Sequence, residues 1–155
     1  MENAALEFRR LGPDLVPGLR SFFRTLASDP ASALFHPHPF TDGEADRICA
    51  YAGKDLYLAA TVSGDVRAYG LLRGWDEGYS IPSLGIAVHP SARGTGLGAA
   101  FMKYLHAVAA ARGATTIRLK VYAHNLRAKA LYERLGYIAA GETDGQLLYT
   151  LTFGK

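Results

Sequence analysis

Ile86-Ala87-Val88-His89-Pro90-Ser91-Ala92-Arg93-Gly94-Thr95-Gly96-Leu97-Gly98 decides the fold: an apolar strand stops at a proline, and a basic, glycine-rich loop then opens a helix. Glycines at 94, 96 and 98 accept φ > 0 and let backbone N–H groups approach an anion with no side chain in the way. The helix that follows, over about residues 96–112, points its positive end and its unpaired N–H groups at the same spot, and Arg93 adds a full charge. By itself this loop specifies a ligand that carries pyrophosphate or something similar.

Three kinds of phosphate loop compete for the stretch. A P-loop needs Gly-Lys-Ser/Thr after its last glycine, and Gly98-Ala99-Ala100 has neither the lysine nor the hydroxyl for magnesium. Gly94-x-Gly96-x-x-Ala99 fits the looser dinucleotide fingerprint, which also requires an acid at the end of the next strand. That strand, Thr116-Ile117-Arg118-Leu119-Lys120-Val121-Tyr122, contains none. Arg118 or Lys120 suits a phosphorylated ribose instead, but the loop lies past the middle of the chain and leaves too few residues for a doubly wound sheet.

The third kind uses the other end of the motif. Arg93-x-x-Gly96-x-Gly98 resembles the (Gln/Arg)-x-x-Gly-x-(Gly/Ala) signature of the GCN5-related N-acetyltransferases (GNAT). Asn125-x-x-Ala128-x-x-Leu131-Tyr132-Glu133-Arg134-Leu135-Gly136-Tyr137 is similar to that family's second cofactor motif. The motifs stand in the right order with a strand between them, and the resemblance covers about residues 56–153. It implies an α/β (α+β) fold, a mixed twisted sheet of about seven strands flanked by about four helices.

Composition sets the outer bounds. The 155 residues, 49% apolar and 20% charged, suit one globular domain over 1–155. No apolar run reaches the roughly eighteen residues of a membrane span, and Met1-Glu2-Asn3-Ala4 lacks a basic leader, so a cytoplasmic protein is expected. A single cysteine, Cys49, reads as a structural thiol of a reducing compartment. A net charge of +3, with scattered basic residues, does not call for nucleic acid, and a polyanionic cofactor accounts for it. Monomer and homodimer both remain open.

Periodicity and caps place the elements. A strand over 6–11 leads to a helix over 14–27 with Asp14 as N-cap, then a Pro- and His-rich loop over 29–40. Thr41 or Asp42 caps a second helix, whose Ala45, Ile48, Cys49 and Ala52 recur at helical spacing and which ends at Gly53. Strands over 56–62 and 66–72 form a hairpin about Ser63-Gly64-Asp65. A loop over 74–80 precedes a strand that ends at Val88, and the resemblance places the start of that strand at Ser83. After the loop helix and the strand over 116–122, Asn125 caps a helix that Gly136 ends, and two strands turn at Asp144-Gly145.

The resemblance assigns the site. In that fold two central strands splay apart, and the pantetheine arm of acetyl-CoA pairs with the backbone of Ile86, Ala87 and Val88. Arg93, Gly94, Thr95, Gly96, Leu97, Gly98 and Ala99 bind its pyrophosphate, and Asn125 and Ala128 line it. Tyr132 stands where the family uses a tyrosine as general acid toward the departing thiolate, and a core tyrosine is the plainer alternative. Members that acetylate protein N-termini often carry a Glu base five residues before the motif asparagine. Here that position is Lys120, which argues against an acceptor of that kind.

The acceptor must be a neutral amine, and for a lysine-like amine at pH 7 that costs about 4 to 5 kcal/mol. Asp76 or Glu77, on the loop before the cofactor strand, is a candidate base, with Trp75 and Tyr79 to stack on a ring and Ser83 at the strand's start. His36 and His38, in the segment that closes over the acceptor in this fold, are further candidates. With no third ligand evident they are not read as a metal site. Acids and aromatics together suit a cationic, ring-bearing small amine. The 75–85 stretch also faintly resembles acetyltransferases encoded with surface-polysaccharide enzymes, which points to a nucleotide-linked amino sugar. A non-catalytic acyl-CoA-binding domain is the rival from another class.

Overall fold

A computed structural model describes residues 5–30 and 37–153. The described residues form strands β1 (Leu6–Arg10), β2 (Leu56–Val62), β3 (Asp65–Arg73), β4 (Ser83–Val88), β5 (Thr116–Tyr122), β6 (Ile138–Thr143) and β7 (Gln146–Thr152). Helices α1 (Val16–Ala27), α2 (Asp42–Cys49), α3 (Leu97–Ala111) and α4 (Leu126–Arg134) flank them. The strands make one mixed sheet in the order β1-β2-β3-β4-β5-β7-β6, with β4 and β5 its one parallel pair among the described residues. This is the seven-stranded, four-helix arrangement expected.

Burial explains the strand sequences. Leu56, Leu58 and Ala60 of β2 face a cluster with Phe101, Met102 and Leu105 of α3, whereas Tyr57 and Ala59 face Leu19, Phe22 and Phe23 of α1 and Ala45 and Ile48 of α2. Covered on both sides, β2 is apolar at every position from Leu56 to Ala60. β5 alternates instead: Ile117, Leu119 and Val121 are buried, and Arg118 and Lys120 are exposed. The helices α1 and α2 contact the sheet through β2 and β3, so the corresponding face of β5 is open.

Two helix limits differ from expectation. Asp14 does not cap α1: it lies in a single 3-10 turn, Pro13–Leu15, and both its carboxylate oxygens accept from Arg9, at 2.7 and 2.9 Å. Thr41 is the N-cap of α2, its hydroxyl accepting from the Glu44 N–H at 3.2 Å. That helix stops at Cys49 rather than Gly53, and Ala52 is exposed.

Gly18 fixes how α1 sits on the sheet. A Cβ there would lie 2.3 Å from the carbonyl oxygen of Gly64 in the β2–β3 turn, an atom with no rotamer to swing away. Helix propensity alone makes Gly18→Ala stabilising by about 1 kcal/mol, but overpacking of this kind costs about 1 to 3 kcal/mol or more. The expected net result is a loss of about 2 kcal/mol in urea unfolding. A variant as stable as the parent would show that α1 slides freely on the turn.

Candidate active site

The sheet opens at its centre. β4 and β5 share one register pair, Ser83 with Arg118, supported by the Arg118 N–H donating to the Pro82 carbonyl at 3.1 Å; beyond it the strands part. In an antiparallel ladder alternate residues turn their backbone groups to the same neighbour. The His89 N–H donates to Arg67 of β3, and the Pro82 carbonyl faces β5. By that alternation Ile86 and Val88 aim their backbone groups into the gap and Ala87 aims its own at β3. This corrects the expectation that all three face the gap. The Ala87 side chain packs instead against the α1/α2 cluster.

The glycine loop lies at the far end of β4. Gly94 (φ 79°) and Gly96 (φ 87°) are left-handed, and a Cβ added at either would meet no protein atom within 4 Å. Gly96 is the N-cap of α3 and offers no side-chain cap, so the first N–H groups of the helix lack the usual side-chain acceptor. The Thr95 hydroxyl donates to the Ala92 carbonyl and receives a long bond, 3.4 Å, from the Leu97 N–H. At Gly98 an added Cβ would make only ordinary contacts, 3.6 Å to Val88 and 3.9 Å to Leu131, so the space there does not demand a glycine. These features fit the arm and phosphates of acetyl-CoA: an unpaired strand edge followed by a concave row of donors. The Arg93 guanidinium is not held in reserve for phosphate, because it bonds Asp29 at 2.6 Å and ties the loop to the end of α1.

Asn125 caps α4, its side-chain oxygen accepting from the Ala128 N–H at 3.3 Å. Ala128 and Tyr132 then face the core cluster under α3. Tyr132 stands among aromatic neighbours, 5.7 Å from the Tyr137 ring and 6.5 Å from Tyr149. The Tyr137 hydroxyl is bonded to His106 Nε2 at 2.7 Å, and the Tyr149 hydroxyl donates to Glu133 at 2.8 Å. The Tyr132 hydroxyl has no hydrogen bond to any described residue, and burial pushes its pKa up to about 12. It is a neutral donor with its proton uncommitted.

A cleft of about 330 Å³ opens where β4 and β5 meet. Ser83 lines it, and its hydroxyl accepts from Arg118 Nε at 2.9 Å. Tyr79, 54% exposed, lies beside this point with the Arg118 guanidinium 5.8 Å from its ring centre. The remaining walls include Arg73, Lys120, Pro37 and Gln146, and no acid is among the described residues that line the cleft. The expected acidic lining is therefore corrected to a basic one.

The other anticipated side chains are turned elsewhere. Asp76 accepts from the Lys54 N–H at 2.8 Å, and buried Asp55 accepts from the Gly74 and Asp76 N–H groups, so two carboxylates clamp the turn Trp75–Glu77 to the entry of β2. Glu77 is exposed on that turn and does not line the cleft. Trp75 packs towards the α3 cluster with the Arg112 guanidinium 4.8 Å over its ring. His38 donates from Nδ1 to the Pro39 carbonyl (2.8 Å), which leaves Nε2 to accept the Tyr69 hydroxyl (2.8 Å). Burial lowers its pKa, and both ring nitrogens are occupied inside the protein. His36 lies outside the described residues. Arg73 was not singled out by sequence; only its register opposite Ser83 brings it to the cleft.

Comparison with known proteins agrees with this geometry. A sequence model of the acetyltransferase (GNAT) family matches residues 21–137. Among solved structures, the GNAT domain of S. lividans PAT is similar at TM-score 0.82 and 19% identity, over 96% of this chain and 90% of that one. A GCN5-related N-acetyltransferase from Kribbella flavida gives 0.77 and 21%, over 96% and 98%. The ribosomal-protein-S18-alanine N-acetyltransferase from Escherichia coli gives 0.71 and 24%, over 96% and 94%. At these identities the likeness to each structure is one of fold.

Proposed function

The chain belongs to the acetyltransferase (GNAT) family, and from that membership we propose that it transfers an acetyl group from acetyl-CoA to the primary amine of a small molecule. The observation that carries this reading is the parting of β4 from β5 after a single register pair, with the glycine loop at one end of the gap and a cleft at the other.

Bound acetyl-CoA supplies the acetyl group as an activated thioester. The N–H groups of residues 94–99 hold its pyrophosphate with the field of α3 behind them. Ile86 and Val88 complete their strand edge on its arm, and a β4 N–H polarises the acyl carbonyl. Asn125 and Ala128 line the arm from α4. Tyr132 would donate its hydrogen bond, and then its proton, to the sulfur as the neutral amine displaces the thiolate at the acyl carbon, and the proton shed by the acetylated nitrogen would return through solvent to the phenolate. With no carboxylate or imidazole among the described cleft-lining residues, the cationic groups there favour the neutral amine, because like charges penalise an ammonium. A cleft of about 330 Å³ suits a small acceptor, and a nucleotide-linked amino sugar is one candidate. In this reading residues 1–155 work as a single domain in the cytoplasm. No described helix is long and apolar enough to cross a membrane.

The test is thiol release from acetyl-CoA over a panel of polyamines, amino acids, aminoglycosides and nucleotide-linked amino sugars. Release above the amine-free background is expected for one class. Binding of acetyl-CoA without release from any amine would favour the second reading, a non-catalytic acyl-CoA-binding domain, which the lack of a cleft base also supports.

A further inference from the structure

Arg73, Ser83 and Arg118 form one row across three neighbouring strands: Arg73 is paired with Ser83 between β3 and β4, and Ser83 with Arg118 between β4 and β5. With strands spaced about 4.8 Å apart, the two arginines stand about 10 Å apart at Cα with a short hydroxyl side chain between them. All three residues line the same cleft, and Lys120, two positions along β5, adds a further cation on that face.

None of the three is bonded to a carboxylate, although Glu44 of α2 lies within electrostatic range of Arg73. Arg9, Arg20, Arg24, Arg47 and Arg93 each bond a carboxylate. Arg73 instead donates to the Pro37 carbonyl at 3.3 Å, Arg118 donates to Ser83, and neither they nor Lys120 makes an ion pair with a described residue. Three cations converging on a cleft without an acid repel one another unless something anionic enters. The phosphates of acetyl-CoA do not serve, because the glycine loop begins beyond Val88, and β4 alone carries the chain about 16 Å away from Ser83.

We infer that the acceptor is itself anionic: a small molecule whose primary amine lies close to a carboxylate or phosphate, which Arg73 and Arg118 grip from either side of Ser83 with Lys120 assisting. The spacing of the two arginines suits such a group, since a guanidinium binds planar oxyanions through paired N–H donors. The opening between β4 and β5 just past Ser83 places the amine beside the strand edge assigned to the acyl arm. This inference rests on the proposed acceptor role of the cleft and narrows the substrate class.

Matched amines decide it: glutamate and aspartate against their diamides, glucosamine 6-phosphate against glucosamine, and a nucleoside-diphosphate amino sugar. Each is measured by acetyl transfer and by calorimetric binding to the protein saturated with CoA. At least one anionic member should bind and react about tenfold or more better than its neutral partner, and the better pair tells carboxylate from phosphate. Arg118→Gln and Arg73→Gln should each raise KM for that amine about 10- to 100-fold, with KM for acetyl-CoA within about twofold. Arg118→Lys should retain part of the preference. Both arginines are at least partly exposed, so the fold should survive, and a thermal melt of each variant verifies that.

Equal use of charged and neutral partners, no binding of any anionic amine, or the same loss for both partners in the variants overturns the inference. Transfer to neutral amines alone would do so while leaving the acetyltransferase reading intact. Charge-dependent binding with no transfer would do the reverse.

Discussion

Replacing Tyr132 by Phe is expected to lower kcat about 100-fold while the affinity for acetyl-CoA stays within about twofold, as loss of a proton donor that acts only in the transition state requires. The ring itself is kept, so its packing near Tyr137 and Tyr149 and the stability of α4 should persist. The assignment depends on one contrast among three clustered tyrosines. Tyr137 and Tyr149 have their hydroxyls bonded to His106 and Glu133, and Tyr132 has no such partner among the described residues.

The pH profile provides an independent check. Burial raises the Tyr132 pKa to about 12, so the phenol stays protonated and able to donate throughout the neutral and moderately alkaline range. Loss of activity from its ionisation should appear only as pH approaches 12. Delivering the whole proton to a free thiolate with a pKa near 8.5 is uphill by about 5 kcal/mol, so transfer must accompany C–S cleavage rather than follow it. A rate that rises with phenolate formation would mean that Tyr132 works as a base. Full activity of the Phe variant would reduce Tyr132 to a core ring.

Gly96→Val should weaken acetyl-CoA binding about 10- to 100-fold. At φ 87° any L-residue is strained by about 1 to 2 kcal/mol, and a β-branched one suffers most. That strain should appear as a similar loss in unfolding free energy without ligand. The larger effect arises because an added Cβ at 96 meets no protein atom within 4 Å, so the conflict is with whatever occupies the loop. The thermal stabilisation that acetyl-CoA confers on the parent should shrink accordingly. If both proteins gained equally from acetyl-CoA, the loop would not be the phosphate site.

The strands over 56–62 and 116–122 were legible to the residue, because turn chemistry and apolar runs bound them locally, whereas the start of the strand over 83–88 came from the family resemblance. Side-chain destinations were less accessible. Trp75 and Asp76 read as substrate contacts, yet Arg112 of α3 and the Lys54 N–H, both distant in sequence, claim them. His38 read as a base until the Tyr69 hydroxyl on β3 filled its free nitrogen. Asp14 read as a cap, and Arg9 holds it instead.

What the sequence determined by itself is whatever short-range chemistry encodes: glycines that accept φ > 0 before a helix, an asparagine that caps one, and hydrophobic periods of two and 3.6 that order the elements into this family's fold. The tertiary structure alone decided the charge of the cleft where β4 and β5 meet. Arg73 and Arg118 are far apart in the chain, and only pairing through Ser83 in adjacent strands brings them into one row. Strand register is set by packing across the whole sheet, and no local run of residues contains it.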